Sequence, residues 1–410
     1  MEMRSQVSLS RSRQREAWVL AGMMFLITPS SSVVTPMLPD LMLDFHLSVT
    51  GAALIISCFS LAQLAFDLPV GLLLDRFNHR RLLVGGILCA VLGSMLSALA
   101  FSFPRLLLGR LLAGAGVGIC ITTTMVMLSR LGTPGTRGSL FGLYSATTLA
   151  SASISPILSG WIASAIGWRA GFLFAGLAAS LALVLTLVKV GAAAPQGQGL
   201  GSSLASLLRE AALAKAARAP TAGAQVALIY LIVFLLFLTG SGLSHTAVPI
   251  YASETLHLNA SAIGWAVGLG MMARSVASMV GGRLSDRYGH RLVLAPSLAM
   301  IGLGFLAFNR VTSFITFLGT MLFTSLGHIG RALPNVWLVD VSPKSRWGTL
   351  LGISRFGADF AHMVGPVAFG WIFDHVGFFW ATLVGASLMW FAALVAGTLV
   401  REVSKPWSQG

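Results

Sequence analysis

One short stretch occurs twice in this chain. Gly71-Leu-Leu-Leu-Asp75-Arg76-Phe-Asn-His-Arg80-Arg81 returns 211 positions later as Gly282-Arg-Leu-Ser-Asp286-Arg287-Tyr-Gly-His-Arg291. A second pair, Gly142 with Pro156 and Gly352 with Pro366, repeats at 210, so the register holds through most of each half. A chain copied at this spacing has to fold as two similar units. Long apolar stretches flank each copy, and duplicated apolar halves are how many secondary transporters are built, with substrate held where the halves meet. Hydrophobic residues make up 56% of the 410 positions and charged residues 10%, with mean hydropathy +0.83. That composition excludes a water-soluble surface and places the chain in a bilayer.

A spanning helix needs roughly 20 apolar residues, and twelve such stretches centre near Phe25, Ser60, Val91, Gly118, Leu149, Leu177, Phe234, Gly268, Met300, Leu326, Ala361 and Trp390. The expected fold is therefore an all-α membrane protein, twelve transmembrane helices in two pseudo-symmetric six-helix bundles. The bundles are expected over 1–188 and 224–410, joined by a linker at 189–223. Within that linker, Ser203 to Arg218 carries leucines at helical spacing with Arg209 and Lys215 between them, as an interfacial amphipathic helix would.

Basic residues alternate between the two sides. They flank the even-numbered spans and the N-terminus, while only Arg105, Arg169 and Arg310 lie opposite. Because basic loops stay cytoplasmic, both termini and the linker are expected in the cytoplasm, with the chain multi-pass in the cytoplasmic (inner) membrane. The net charge of +14 follows from this topology. Nucleic acid is excluded as a partner, since the arginines are scattered over short loops and form no stripe. The first apolar stretch, Ala17 to Met37, is too long for a signal-peptide core and is read as retained. Cys58, Cys89 and Cys120 all fall inside spans, where they serve as small apolar residues. No disulfide, metal site or cofactor is implied, and a monomer is expected.

On these residues the chain resembles the major facilitator superfamily, and within it the twelve-span drug or metabolite:proton antiporters. The resemblance covers nearly the whole chain. Its loop signature is carried by Gly71, Asp75 and Arg76 and again by Gly282, Asp286 and Arg287, with Asn78 where the family has glycine; asparagine tolerates positive φ, so the same turn is expected there. A fourth-span signature appears as Arg110, Gly114, Gly116 and Gly118. The fifth-span exporter signature is degraded to Ser151, Ser155-Pro156 and Ser159-Gly160, and is better kept in the eleventh span as Ala361, Gly365-Pro366 and Gly370. The resemblance implies that the loop copies latch the cytoplasmic ends together when the carrier faces outward. Arg287 with Asp340, which ends the tenth span, is the expected pair.

Ionisable residues inside a bilayer are costly and mark function by default. The first half holds Asp67 and Arg110; the second holds Arg274, His328, Arg331, Arg355, Asp359 and His362, with His245 further out. Arg274 precedes the loop aspartate by 12 residues, roughly 18 Å into its helix. Arg355, Asp359 and His362 share one helical face, as do His328 and Arg331. At the equivalent positions of the first half stand Gly118, Ile121, Ser145, Leu149 and Ala152, none ionisable. Three arginines against one aspartate leave surplus positive charge that suits an anionic group. All eight charged residues are candidates for substrate binding or proton coupling, with Asp359 and Asp67 the available acids.

The expected function is export of a small amphipathic or anionic compound by proton antiport and alternating access. The alternative is an importer or facilitator of an organic anion on the same fold. An intramembrane enzyme is disfavoured: Ser241, Ser244 and His245 cluster in the seventh span, yet no Gly-x-Ser-x-Gly or His-Glu-x-x-His arrangement accompanies them.

Overall fold

The computed structural model describes residues 11–74, 77–132, 136–190, 220–342 and 346–400. Twelve spans run α1 (Arg13–Phe45), α2 (Val49–Leu73), α3 (His79–Ala98), α4 (Phe103–Leu131), α5 (Arg137–Ile166) and α6 (Trp168–Lys189), then α7 (Gly223–Leu256), α8 (Ala260–Tyr288), α9 (His290–Ala307), α10 (314–340), α11 (Trp347–Val376) and α12 (Phe378–Thr398). Among the described residues there is no strand. Ten spans are long and apolar enough to cross a membrane by themselves. The two that fall short, α10 and α11, carry His328, Arg331, Arg355, Asp359 and His362, whose polarity lowers their hydropathy.

The duplication reaches the turns. Ser48 caps α2 by accepting from the Gly51 amide, and Asn259, 211 positions on, caps α8 by accepting from Ala262. His46 and His257 end α1 and α7 in the left-handed region at φ 51° and 50°, and Gly167 and Gly377 precede α6 and α12 at φ 107° and 95°. One pair breaks the symmetry. Gly289 takes φ 88° before α9, whereas Asn78 takes φ −62° and caps α3 through its side chain, which accepts from the Arg80 amide at 2.9 Å. The asparagine thus replaces the glycine by capping, and positive φ is not used there.

Each half builds its own core. One cluster joins Leu20, Met24, Ile87, Val117 and Ala182 of the first half; another joins Leu236, Leu298, Phe305, Trp337 and Met389 of the second. Outward-facing Leu92 of α3, Leu177 and Leu181 of α6 and Leu394 of α12 are exposed, the inverse of a water-soluble surface and the surface a lipid solvent requires.

The halves close on each other at the end away from the chain termini. There a third core cluster joins Val33, Ile55 and Phe172 to Ile250 and Ala260 of the other half. Small residues let α5 and α8 approach to backbone contact: a Cβ at Gly264 would collide with the Pro156 carbonyl, and one at Gly268 with that of Ser153. Two hydrogen-bonded clasps complete the closure. The Asp374 carboxylate, at the end of α11, accepts from the Val49 and Thr50 amides at 2.9 and 2.8 Å and from Thr50 Oγ1 at 2.6 Å, so it caps the N-terminus of α2. Its counterpart 210 positions earlier is Ser164 of α5, whose hydroxyl accepts from the Ser261 amide at the start of α8 at 2.8 Å.

At the other end, among the described residues, the expected latch pair is not formed. Asp340 pairs with His290 at 2.8 Å, and Arg287, exposed, lies 5.4 Å from the Tyr288 ring, so the expected Arg287–Asp340 pair is replaced. Asp286 is likewise exposed. This is consistent with closure at the distal end, since a latch at the opposite end belongs to the opposite conformer. Asp75 and Arg76 lie outside the described residues, as does the 203–218 segment; Gly71 lies within α2.

Hydrogen bonds to a charged group contribute about 1.5–3 kcal/mol each, so Asp374→Ala should raise the distally open population about tenfold or more. Labelling of Thr35→Cys by an impermeant maleimide from that side, with the three native cysteines replaced by serine, measures this. Ser164→Ala removes one neutral bond of about 1 kcal/mol and should raise labelling only a few-fold.

Candidate functional site

Three spans lose their helical ladder at mid-depth. α1 is helical to Ile27, then passes through the short turns Pro29–Ser32 and Thr35–Met37 before Leu38–Phe45. In α7 the segment Gly240–Ala247 is π-helical, and it lies 210 positions from the break in α1. α10 breaks at a 3-10 turn, Gly327–Gly330, between Phe314–Leu326 and Leu333–Asp340. The equivalent stretch of α4 is continuous helix. Interrupted spans at mid-membrane are where transporters place their ligand sites, and π-helical turns cluster at functional positions.

The breaks of α1 and α7 line a cavity of about 300 Å³ between the halves. Its first-half wall presents the polar Ser31, Ser32, Thr35, Ser60 and Gln63 together with Phe59 and Arg110. The second-half wall presents Ser241, His245, Met271, Asp359 and His362. A second cavity of about 240 Å³ adjoins it at Asp359 and is lined by Asp67, Thr122, Met125, Arg355 and Phe356.

Asp359 is the hinge between the two spaces. Arg355 Nε lies 3.5 Å from its Oδ2, one turn back on α11, too far for a strong hydrogen bond, and Oδ2 is left without one. The same guanidinium reaches across the interface to Asp67 Oδ2 at 3.7 Å and donates to Met125 Sδ at 3.1 Å. Asp67 also accepts from Thr122 Oγ1 at 3.0 Å, and it lines the second cavity together with Asp359. Two acids from opposite halves thus meet beside one arginine.

Behind the second-half wall sits a basic group. Arg331 lies over the Phe237 ring at 4.3 Å, and the His362 ring is 5.3 Å from the same phenylalanine. His328, in the break of α10, donates from Nδ1 to the Thr324 carbonyl at 3.0 Å. Arg274 stands one turn along α8 from Met271 of the cavity wall; its equivalent in the first half, 211 positions earlier, is Gln63 of the opposite wall.

Arg110 has a different task. Its guanidinium is 1% exposed, donates to the Ser30 carbonyl at 2.8 Å and lies 4.4 Å from the Phe59 ring. Ser30 precedes the break in α1, so the arginine meets a carbonyl the helix has released. The serines of the degraded fifth-span signature do likewise: Ser151 Oγ donates to the Phe25 carbonyl at 2.6 Å and Ser159 Oγ to that of Val33 at 3.1 Å. Arg110 touches the cavity, yet its donors are turned to backbone. The sequence reading did not single out Ser31, Thr35, Gln63, Thr122 or Phe237; for the first two, the break in α1 foreshadowed by Pro29 and Pro36 was the available signal.

The sequence profile of the Major Facilitator Superfamily matches residues 20–244 and 229–410. The hexuronate transporter of Bacillus subtilis (strain 168) is 26% identical, with 94% of this chain and 93% of that protein covered. The drug efflux pump JefA of Mycobacterium tuberculosis (strain CDC 1551 / Oshkosh) is 26% identical over 43% of this chain and 35% of its own length. Among solved structures, the inward open xylose transporter XylE from E. coli superposes with TM-score 0.74 at 16% identity, covering 96% of this chain and 98% of that one. At that identity the likeness concerns the fold alone.

Removing the Arg110 guanidinium leaves the buried Ser30 carbonyl unpaired, at a cost of about 1–3 kcal/mol. Arg110→Leu is expected to lower the thermal unfolding midpoint of the purified protein by several degrees, while Arg355→Leu, half-exposed to the cavity, should shift it less. Scanning fluorimetry in detergent compares the two.

Proposed function

The chain belongs to the major facilitator superfamily, and from that membership we propose that it is a proton-linked secondary transporter carrying a small organic anion across the cytoplasmic membrane by alternating access. One observation carries the reading: Asp67 of the first half and Asp359 of the second meet at the cavity with Arg355 beside both. A proton held between two such carboxyls ties the halves together at mid-depth. Without it, two like charges face each other and favour separation. The cavity volume of about 300 Å³ suits a small cargo. With the termini cytoplasmic, as the basic loops imply, the conformer closed by Asp374 and Ser164 is the inward-facing one.

Charge sets the sign of coupling. An anion in this cavity is repelled by an unprotonated acid pair and accepted beside a protonated one, so proton and anion favour each other's binding and cross together. That supports uptake, the alternative weighed from the sequence, and the near full-length hexuronate transporter relative agrees with it. Export by proton antiport is the second reading, supported by the partial match to the efflux pump; in that case the cargo would displace the proton and would be neutral or cationic.

Membrane vesicles separate the two. Right-side-out vesicles given labelled glucuronate, gluconate and succinate in turn should accumulate at least one of them when the interior is alkaline, and a protonophore should abolish the gain. Asp67→Asn and Asp359→Asn should retain exchange of the accumulated compound but lose the response to the gradient. Accumulation of an amphipathic dye in inverted vesicles with an acidic interior, lost in the same variants, would establish antiport instead.

A further inference from the structure

The second half contains a cationic group that the proton-linked pair does not use. Arg274 of α8 and Arg331 of α10 lie in each other's field, and the charged or titratable neighbours of His245, His328 and His362 are these two arginines and one another. Among the described residues neither arginine forms an ion pair with an acid: the carboxylates near the cavity, Asp67 and Asp359, are engaged by Arg355. Two donor or acceptor atoms of the group are buried and unmatched. They are Arg274 Nε, an N–H with nothing to donate to, and His328 Nε2, whose ring donates from its other nitrogen to Thr324.

Two permanent positive charges at mid-membrane, each partly buried and with no acid paired to it among the described residues, are an arrangement a membrane interior tolerates only if something supplies the missing negative charge. The surroundings say what can reach them. His245 and His362 form part of the cavity wall, so the group is one side chain removed from the space a cargo enters. Arg331 is held by its stacking on Phe237, which fixes the plane of its fork. The opposite wall offers hydroxyls and an amide, Ser31, Ser32, Thr35, Ser60 and Gln63, and its one cation, Arg110, is turned to the Ser30 carbonyl.

We propose that Arg274 and Arg331, with His328 beside them, form an oxyanion subsite in the second half, so that the cargo carries a carboxylate or phosphate group there and turns a hydroxylated remainder toward the first half. The proposal rests on the transport reading and deepens it by dividing the labour: the anionic head binds in α8 and α10, the proton between α2 and α11. A planar guanidinium pairs with either oxyanion through parallel N–H donors. Sequence symmetry supports a ligand role over a packing role, because Gln63 and Ile121 occupy the equivalent places in the first half, which folds the same way without the charges.

Thermal unfolding of the purified full chain, in detergent at constant ionic strength, tests this with glucuronate, succinate and inorganic phosphate as probes and with glucose and chloride as controls. At least one oxyanion should raise the midpoint saturably, and glucose and chloride should not. Arg274→Gln and Arg331→Gln should each weaken the apparent affinity about tenfold or more, while Arg310→Gln, in an exposed turn outside the cavity, should keep the shift. Should either arginine variant fail to fold, the wild type alone decides: phenylglyoxal modification of Arg274 and Arg331, read by mass spectrometry, should be slowed by the oxyanion and unchanged by glucose. No saturable shift with any oxyanion, a wild-type response in both arginine variants, or no protection of the two arginines overturns the subsite. Saturable binding that persists while gradient-driven flux is absent overturns the transport reading and leaves the subsite standing.

Discussion

A carbonyl released from its helical ladder inside a bilayer finds no water, and the protein must answer it from another helix. That constraint organises the centre of this molecule. Breaking α1 at mid-depth opens space for a cargo and at the same time exposes backbone, which is met by Arg110 at Ser30, by Ser151 at Phe25 and by Ser159 at Val33. The departure of the fifth-span signature from glycine therefore has a physical meaning: hydroxyls stand where the neighbouring span needs donors. In the second half the polarity of the exchange reverses, because Ser241 of the interrupted α7 donates to the Ala361 carbonyl of α11 at 3.3 Å.

Much of this was legible in the residues. The repeat at 210–211 positions, the twelve apolar stretches and the crowding of ionisable groups in the tenth and eleventh spans all read directly, because a lipid solvent punishes departures from apolarity and so makes each one informative. Direction in space was not legible. Arg110 and Arg274 look alike in sequence, each a lone cation in an apolar span, yet one is turned to a backbone carbonyl and the other has no acid in reach. What separates them is the break in α1, a tertiary event that supplies Arg110 with an acceptor. Asn78 teaches the same lesson on a smaller scale: two routes start a helix after that loop, a positive-φ glycine or a capping side chain, and an asparagine is compatible with either.

The two halves share a fold and divide the chemistry. The first contributes hydroxyls, an amide, the backbone-bound Arg110 and a single acid, Asp67; the second contributes most of the charge. Gene duplication supplies the two-fold frame that lets a carrier open to either side, and divergence then makes the sides of the cavity unlike, so that a cargo with one charged and one hydroxylated end has only one orientation in which both are served. Arg355 links the halves electrically, since its guanidinium lies beside acids from both.

The clasps at the closed end are equivalent in position and unequal in strength, a carboxylate with three donors on one side and a hydroxyl with one on the other. Parting of the bundles would then begin along the α5–α8 seam and pivot about α2 and α11, giving the opening a lateral bias toward one flank. A route that first widens beside Ser164 would admit solutes along the hydroxyl-bearing face before the far seam gives way.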